Sequence, residues 1–133
     1  MNIQRYYELK YGSQVIYGEN LLDEIKDIKA ENLPESDGLR NLFNKLHTML
    51  LGLQKNYDDD QKKIRIFWNY KCYMSICESL LILNKNFAPT SKERSEIFSR
   101  IYKNNFPYLY KEIPDLTDKV KKAVNFKLKP NFN

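Results

Sequence analysis

The clearest pattern in the sequence is an apolar stripe between residues 39 and 53. Seven large apolar residues recur there at spacings of three and four: Leu39, Leu42, Phe43, Leu46, Met49, Leu50 and Leu53. This spacing places them on one side of an α-helix, whereas a half-buried strand would alternate them at every second position. We therefore predict a helix from Leu39 to Leu53, with Ser36 or Asp37 as its N-cap.

A second, longer helix is predicted from about Asp59 to Asn84. Its acidic first turn suits the positive end of the helix dipole, and from Ile64 onward apolar residues occupy nearly every side of the helix. A helix that is apolar on two sides must be covered on two sides. We expect the segment from Ile64 to Leu83 to lie enclosed at the centre of a helical bundle.

The remaining patterns add a β element and shorter helices. Residues 5–17 are rich in Tyr, Val and Ile and contain Gly12-Ser13, which predicts a strand or hairpin within residues 1–18. Asn20 and Asp23 form a capping-box-like pair before a predicted helix from Leu21 to Ala30. Two further helices are predicted: one after Thr90, which forms a capping box with Glu93, and one from Pro114 to Phe126, with a short piece around Tyr108–Glu112 between them.

These elements predict a mainly α fold, an antiparallel bundle of four to five helices with a short N-terminal β element. A chain of 133 residues is long enough to bury one core as a single domain. Within that domain we predict the β element over residues 1–18, the helices over residues 19–128 and a tail over residues 129–133.

Charge is distributed unevenly along the chain. Residues 1–60 carry seven Lys and Arg against eleven Asp and Glu, whereas residues 61–133 carry fifteen against six. A basic C-terminal half is a candidate surface for phosphate, nucleic acid or an acidic partner, although lysines often only solvate helix faces.

Cysteine and hydropathy patterns exclude other classes of protein. Cys72 and Cys77 would lie about 140° apart on a helix, so we expect buried apolar thiols and no metal site. The sequence contains no uncharged apolar stretch of the length that spans a membrane, and its N-terminus lacks the apolar core of a signal peptide. We expect a cytoplasmic protein that does not associate with membranes.

The N-terminal segment has the outline of a nucleotidyltransferase signature, a Gly-Ser turn followed by acidic residues. Transfer of this type needs two magnesium ions, held by carboxylates on the same side of a strand as in a D-x-D pair. Here the acids after Gly12-Ser13 are Asp23, Glu24 and Asp27, which fall in a predicted helix with no D-x-D alternation. We therefore interpret Gly12-Ser13 as a structural turn.

A second segment carries a family resemblance. Residues 76–93, ICESLLILNKNFAPTSKE, contain an E-x-L-L-x-L-N helix end followed by a Pro-Thr-Ser-Lys helix start. This stretch resembles the helical, substrate-binding domain of kanamycin-nucleotidyltransferase-type proteins, which belongs to the HEPN superfamily of helical bundles. The segment QVIYG at Gln14–Gly18 is similar to the strand that enters such a helical domain, so the resemblance covers about residues 10–128.

The resemblance implies a module that binds a nucleotide or an acceptor substrate. It implies a nucleotidyltransferase catalytic subunit as partner, supplied by another chain or lost by truncation, and homodimer formation. The chain would then have no cofactor of its own and would meet a magnesium-bound nucleotide through the partner. We expect it not to be catalytic alone.

Glu78 is the first candidate for chemistry. It is the only acidic residue between Asp60 and Glu93, within an otherwise apolar helix, so its carboxylate should be paired, protonated or open to a cleft. Lys71 lies on nearly the same face, two turns or roughly 10 Å away, and is a candidate binding residue. In the transferases that the chain resembles, the matching acid helps to deprotonate the acceptor hydroxyl.

Arg40 and His47 suggest an alternative function. HEPN ribonucleases carry an R-x4-6-H motif, often with a polar residue directly after the Arg, and Arg40, Asn41 and His47 are similar to it. A spacing of seven residues brings the two side chains to within about 20° of one helix face. Arg40 could hold a phosphate, with Asn41 beside it, while His47 moves a proton on a ribose 2′-hydroxyl.

Lys92 and Tyr102 complete the candidate binding residues. Tyr102 falls on the predicted inner face of its helix, but it also belongs to a cluster with Tyr108 and Tyr110 that could stack on the bases of a nucleotide or RNA. A third hypothesis, a protein-interaction bundle without any small-molecule site, is equally compatible with the helical pattern.

Overall fold

The computed structural model describes residues 2–51, 53 and 58–132. Within these residues the chain forms six α-helices, with two 3₁₀ turns between the first and the second. The helices are α1 (Ile3–Gly12), α2 (Glu35–Leu51), α3 (Asp59–Leu83), α4 (Ser91–Asn105), α5 (Pro107–Glu112) and α6 (Leu116–Leu128). Because α3 packs against α2, α4 and α6, it is the central helix of a bundle. The predicted mainly α fold is confirmed, with one helix more than the four to five expected.

The predicted N-terminal β element is wrong. Residues 3–12 form α1, and the Asn2 side chain caps its first turn. Ile3 and Tyr7, one helical turn apart, pack against the core cluster, so burial of this face outweighs the β preference of the tyrosines. The segment Gln14–Gly18 is exposed and has no strand geometry.

The predicted helix from Leu21 to Ala30 is also wrong. Two 3₁₀ turns, Leu21–Glu24 and Ala30–Asn32, flank a non-helical stretch. Asn20 caps the first turn as predicted, by accepting a 3.3 Å hydrogen bond from a backbone N–H. The stretch between the turns runs along α1, where Lys10 forms a 2.8 Å ion pair with Asp27 and donates to the backbone carbonyl of Ile25. Contacts with α1, and not a helical face of its own, hold this segment.

The apolar stripe of α2 is only partly covered. Leu42, Leu46 and Met49 are half-buried, whereas Leu39 and Phe43 are 51% and 66% exposed. The helix begins four residues before the predicted start, and neither proposed N-cap lies at its beginning. The prediction of a helix is confirmed, but the predicted bounds shift toward the N-terminus.

The central helix agrees with its predicted bounds to within one residue at its C-terminal end. Asp58 caps it by accepting a 2.8 Å hydrogen bond from the Gln61 backbone. However, α3 contributes to the core cluster only from Tyr70 onward, and Ile64 is 56% exposed. The expected enclosure is therefore right for the second half of α3 and wrong for the first, because α4 and α6 pack only against the second half.

The C-terminal helices follow the predicted pattern closely. The capping box of Thr90 and Glu93 is present at the start of α4. Phe98 on α4 and Val120 on α6 are fully buried and meet the inner face of α3 in one core cluster. Of the helices that the structure describes, none is long and apolar enough to cross a membrane.

Candidate ligand-binding site

A buried arginine connects three helices at one end of the bundle. The Arg94 side chain on α4 is 6% exposed, and its Nη1 donates hydrogen bonds of 3.0 Å and 3.2 Å to the carbonyls of Ala88 and Pro89. Nη1 also lies 2.7 Å from Glu8 Oε1 on α1, and Nη2 lies 3.3 Å from Glu78 Oε1 on α3. Nη2 also donates a 3.2 Å hydrogen bond to the Ser91 hydroxyl, so carbonyl, hydroxyl and carboxylate partners together fix the orientation of the guanidinium.

Glu78 has partners from two further helices. Its Oε2 accepts a 2.6 Å hydrogen bond from Asn41 Nδ2 on α2, and its side chain is only 15% exposed. Burial raises the pKa of Glu78, and the neighbouring Arg94 and the Asn41 hydrogen bond oppose that rise. Of the three states expected for this solitary acid (paired, protonated or open to a cleft), the structure shows the paired one, with Arg94 and Asn41 as the partners.

A close approach of α2 and α3 places Asn41 beside Glu78. A Cβ atom at Gly38 would lie 3.2 Å from Ser79 Cα and 3.3 Å from Ile82 Cδ1, so a larger residue would require the two helices to shift at this contact. The Ser79 hydroxyl crosses the contact and donates a 2.8 Å hydrogen bond to the Gly38 carbonyl. Asn41, one turn after Gly38, meets Glu78, the residue directly before Ser79.

The position of α1 is fixed at both of its ends. At its start, the Gln4 backbone N–H donates a 3.1 Å hydrogen bond to Oδ2 of Asp37, a buried residue in the first turn of α2. At its end, a Cβ atom at Gly12 would lie 3.1 Å from the Pro89 carbonyl oxygen. Glu8, between these two anchors, is thereby held against Arg94.

Lys127 on α6 adds a positive charge to the same end of the bundle. Its Nζ donates a 2.7 Å hydrogen bond to the Ser91 hydroxyl. Burial and the nearby positive charges of Arg94 and Lys71 lower the pKa of Lys127, although Glu78 opposes the effect.

These helices enclose a polar cavity of about 190 Å³. Six cationic side chains line it: Arg5, Arg40, Lys45, Lys71, Arg94 and Lys127. Two carboxylates, Glu8 and Glu78, line it as well, and both form ion pairs with Arg94. Among the described residues, none of the other five cations forms an ion pair with a carboxylate. The cavity thus has a formal excess of four positive charges.

Two buried polar atoms in the cavity wall lack a hydrogen-bond partner in the described part of the chain. They are Oε1 of Gln4 and the hydroxyl of Ser75, in side chains that are 4% and 1% exposed. Buried polar atoms are almost always hydrogen-bonded, and each exception requires an explanation. Both exceptions found within the described residues lie in this one cavity.

A larger groove of about 750 Å³ lies between α4 and α6. Lys92, Arg100 and Lys121 line it, and Glu96 carries an opposing charge. Neither of the unpartnered buried atoms borders this groove. Its three cations are all exposed, whereas the cavity has Arg94 buried and Lys45 and Lys71 half-buried. The smaller cavity is therefore the stronger candidate for a ligand site.

The structure brings four of the seven sequence-predicted site residues together. Arg40, Asn41, Lys71 and Glu78 all line the polar cavity. His47 is exposed on α2 and does not line it. Lys92 is exposed and borders the separate groove between α4 and α6.

The prediction of an exposed, base-stacking Tyr102 is wrong, and the competing prediction of an inner-face position is right. Tyr102 is 1% exposed, its ring lies 4.8 Å from that of Phe98, and its hydroxyl donates a 2.8 Å hydrogen bond to the Ile113 carbonyl. Its place on the inner face of α4 buries it, so it cannot stack on a ligand. Tyr108, by contrast, is 83% exposed.

Sequence reasoning missed several cavity residues for which a signal existed. Arg94 stands three and four positions before Ile97 and Phe98, on the face of α4 that those residues bury. Lys127 follows Val120 and Val124 at helical spacing on α6, although Lys127 itself is exposed. A charged residue at an inner-face position indicates a buried partner, in the same way as Glu78 does.

The cysteines contribute nothing to the site. Cys72 and Cys77 are both buried and unpaired, as predicted, and burial raises the pKa of Cys77 to about 12. Among residues 2–51, 53 and 58–132, no group of three His, Cys, Asp or Glu side chains could hold a metal ion. The cavity is consequently described by its charges and hydrogen-bonding groups alone.

Comparison of the chain with models of known protein families, with curated proteins and with solved structures finds no match. The resemblance to HEPN helical domains of nucleotidyltransferases therefore stays a prediction from the sequence.

Proposed function

We propose that this chain is a helical module that binds a phosphate-bearing ligand, a nucleotide or an acceptor substrate, in the polar cavity beside Glu78. In this proposal it serves a nucleotidyltransferase catalytic domain that lies outside this sequence, and it meets a magnesium-bound nucleotide through that domain. The chain by itself is not an enzyme.

The observation that carries the proposal is the unbalanced charge of the cavity. Both carboxylates are already paired with Arg94, so an incoming anion meets Arg40, Lys45, Lys71 and Lys127 without displacing an existing ion pair. Charge-assisted hydrogen bonds from Arg and Lys are the usual means of holding phosphate oxygens. Convergent cations contributed by several helices form a specific site more readily than a row of cations along one helix face.

The ribonuclease hypothesis has less support. Arg40 lines the cavity, but His47 is exposed and outside it, so the two residues do not converge on one bound phosphate there. If the chain nevertheless cleaves RNA with this pair, His47→Ala abolishes the cleavage. Cleavage by purified wild-type protein that is absent in this variant would replace our proposal.

The proposal is tested by calorimetric titration of the purified chain with ATP, AMP and inorganic phosphate, with and without magnesium. We expect binding that Lys71→Ala weakens by about tenfold, the effect of one charge-assisted hydrogen bond. Lys122→Ala is the matched control, because Lys122 is exposed on α6 and outside the cavity. No binding of any of the three ligands, or equal losses in both variants, would refute the proposal.

The predicted partners need a separate experiment. Co-expression with candidate nucleotidyltransferase domains and measurement of the molecular mass in solution test the predicted catalytic partner and the predicted homodimer. We expect the chain, the catalytic domain and the nucleotide to form a stable ternary complex. A chain that remains monomeric and binds nucleotide without any such partner would limit the proposal to its binding step.

A further inference from the structure

The two unpartnered polar atoms in the cavity wall indicate what the ligand carries in addition to its negative charge. The Gln4 side chain is oriented by its Nε2, which donates a 3.5 Å hydrogen bond to Glu8 Oε1. Gln4 lines the cavity, and its buried Oε1 has no hydrogen-bond partner among the described residues. An amide oxygen can only accept, so a ligand group that bonds to it must be a donor.

Ser75 differs from Ser79 and Ser99, two other serines on the helices of the bundle. The Ser99 hydroxyl donates a 2.9 Å hydrogen bond to the carbonyl four residues earlier, and the Ser79 hydroxyl lies 2.8 Å from the carbonyls of both Ser75 and Gly38. The Ser75 hydroxyl makes no such bond within the described chain, although its side chain is 1% exposed. A hydroxyl both donates and accepts, so Ser75 can pair with a ligand hydroxyl in either direction.

The size of the cavity limits the enclosed part of the ligand. A volume of about 190 Å³ equals roughly six water molecules at about 30 Å³ each. It is also below the range of about 300–1,000 Å³ that encloses drug-sized ligands. A phosphate group with part of a sugar fits this space, whereas a whole nucleotide must extend beyond it.

We propose that the cavity recognises a phosphorylated hydroxyl compound of sugar size, either free or as the sugar-phosphate end of a nucleotide. The phosphate lies among Arg40, Lys45 and Lys71, and the hydroxyls bond to Gln4 Oε1 and Ser75 Oγ. This inference rests on the proposed anion-binding function and adds a specificity for hydroxyl groups, which charge alone does not provide.

The experiment compares ribose 5-phosphate with methyl phosphate, which has the same charged group without hydroxyls. We expect wild-type protein to bind ribose 5-phosphate at least about tenfold more tightly, as two additional hydrogen bonds would allow. Ser75→Ala should lower this ratio of affinities about fivefold, since it removes one of the two bonds. Gln4→Met removes the other acceptor and should lower the ratio similarly. Ser99→Ala, outside the cavity and already hydrogen-bonded to its own helix, should leave the ratio as it is.

The outcomes separate this inference from the function on which it rests. The hydroxyl specificity is wrong if methyl phosphate binds as tightly as ribose 5-phosphate. It is also wrong if the ratio of affinities is unchanged in both Ser75→Ala and Gln4→Met. Either result leaves anion binding intact. Failure of both phosphates to bind overturns the two proposals together. If AMP binds at least as tightly as ribose 5-phosphate, the result supports a nucleotide as the source of the sugar phosphate. If AMP does not bind, the result supports a free sugar phosphate.

Discussion

The Asn41 side chain on α2 donates a 2.6 Å hydrogen bond to the carboxylate of Glu78 on α3. Asn41 thus stabilises the ionised form of an acid whose pKa is raised by burial. Arg40 and Asn41 on α2 belong to the ribonuclease hypothesis, whereas Glu78 on α3 belongs to the transferase resemblance. This bond connects the two groups of residues. In the structure, Arg40, Asn41 and Glu78 belong to one cavity.

Replacement of Asn41 should therefore change the titration of Glu78. In Asn41→Ala we expect the pKa of Glu78 to rise further, because a hydrogen bond to the charged form is lost. The free energy of unfolding at neutral pH should fall by about 2 kcal/mol. Carboxyl-carbon NMR titration and urea denaturation measure the two effects. Asn44→Ala, at the other polar amide on this side of α2, should change neither, and an unshifted Glu78 in Asn41→Ala would contradict the assignment.

Arg94 should be the most sensitive charged position of the bundle. Its removal leaves two carboxylates and two backbone carbonyls without their shared donor. We expect Arg94→Met to lower the free energy of unfolding by about 3–5 kcal/mol, as in other buried pairs that lose one partner. Arg100→Met, at an exposed position of the same helix, should change it by less than about 0.5 kcal/mol. Similar values for the two variants in urea denaturation would show that Arg94 does not hold the network together.

The raised pKa of Glu78 makes a signed prediction for stability against pH. Because the folded-state pKa lies above the ordinary value of 4.5, the folded state holds the proton more tightly than the unfolded chain. The contribution of Glu78 is therefore fully present below about pH 4.5 and is lost as the pH rises through the folded-state pKa. Glu78→Gln, which imitates the protonated acid, should become increasingly stable relative to wild type over that window. Urea denaturation at a series of pH values measures the difference, and a flat difference curve would disprove the prediction.

Gly38 should resist substitution although it lies in a helix. Alanine normally stabilises a helical site by about 1 kcal/mol relative to glycine. Here the added methyl would lie 3.2 Å from the Ser79 backbone, which cannot rotate away, so we expect a net loss of about 1–2 kcal/mol. Ser36→Ala, at an exposed position two residues closer to the start of α2, is the control and should change stability by less than about 0.5 kcal/mol. A stabilised Gly38→Ala in thermal or urea denaturation would mean that α2 and α3 can separate at this point.

The helices that were predicted well are those whose local signals agree with their burial. α3 and α4 have strong N-caps at Asp58 and Thr90, so their beginnings follow from local hydrogen bonding alone. α1 was missed because its tyrosines favour strands in isolation, whereas the contact of Tyr7 with Phe87, with ring centroids 5.8 Å apart, decides its conformation. Such a contact between distant segments is not visible in either segment alone.

The candidate site was predictable in part for the same reason. A lone acidic residue within an apolar helix loses hydration when the helix is buried and therefore needs a partner, so Glu78 could be identified from the sequence. The importance of Gln4 and Ser75 could not, because a missing hydrogen-bond partner is a property of the packed chain and not of the residue type. Likewise Arg40 and His47 share a helix face, but only the packing of α1 and α3 determines which of them faces a cavity.

Ligand binding should itself depend on pH through Lys127. Around this ammonium group lie Arg94 from α4, Glu78 and Lys71 from α3 and Glu8 from α1, and burial with the positive neighbours lowers its pKa. A bound phosphate favours the protonated form of Lys127. At any pH at which Lys127 is partly neutral in the ligand-free protein, phosphate binding is therefore accompanied by uptake of a proton. Between about pH 7 and pH 9.5 a phosphomonoester keeps its charge, since its second pKa is about 6. The affinity for ribose 5-phosphate should therefore fall as pH rises over this range.

In Lys127→Arg, whose guanidinium stays charged, the affinity should remain nearly constant. Calorimetry in buffers of different ionisation enthalpy counts the protons taken up, and an identical pH slope in the two proteins would place the titrating group elsewhere.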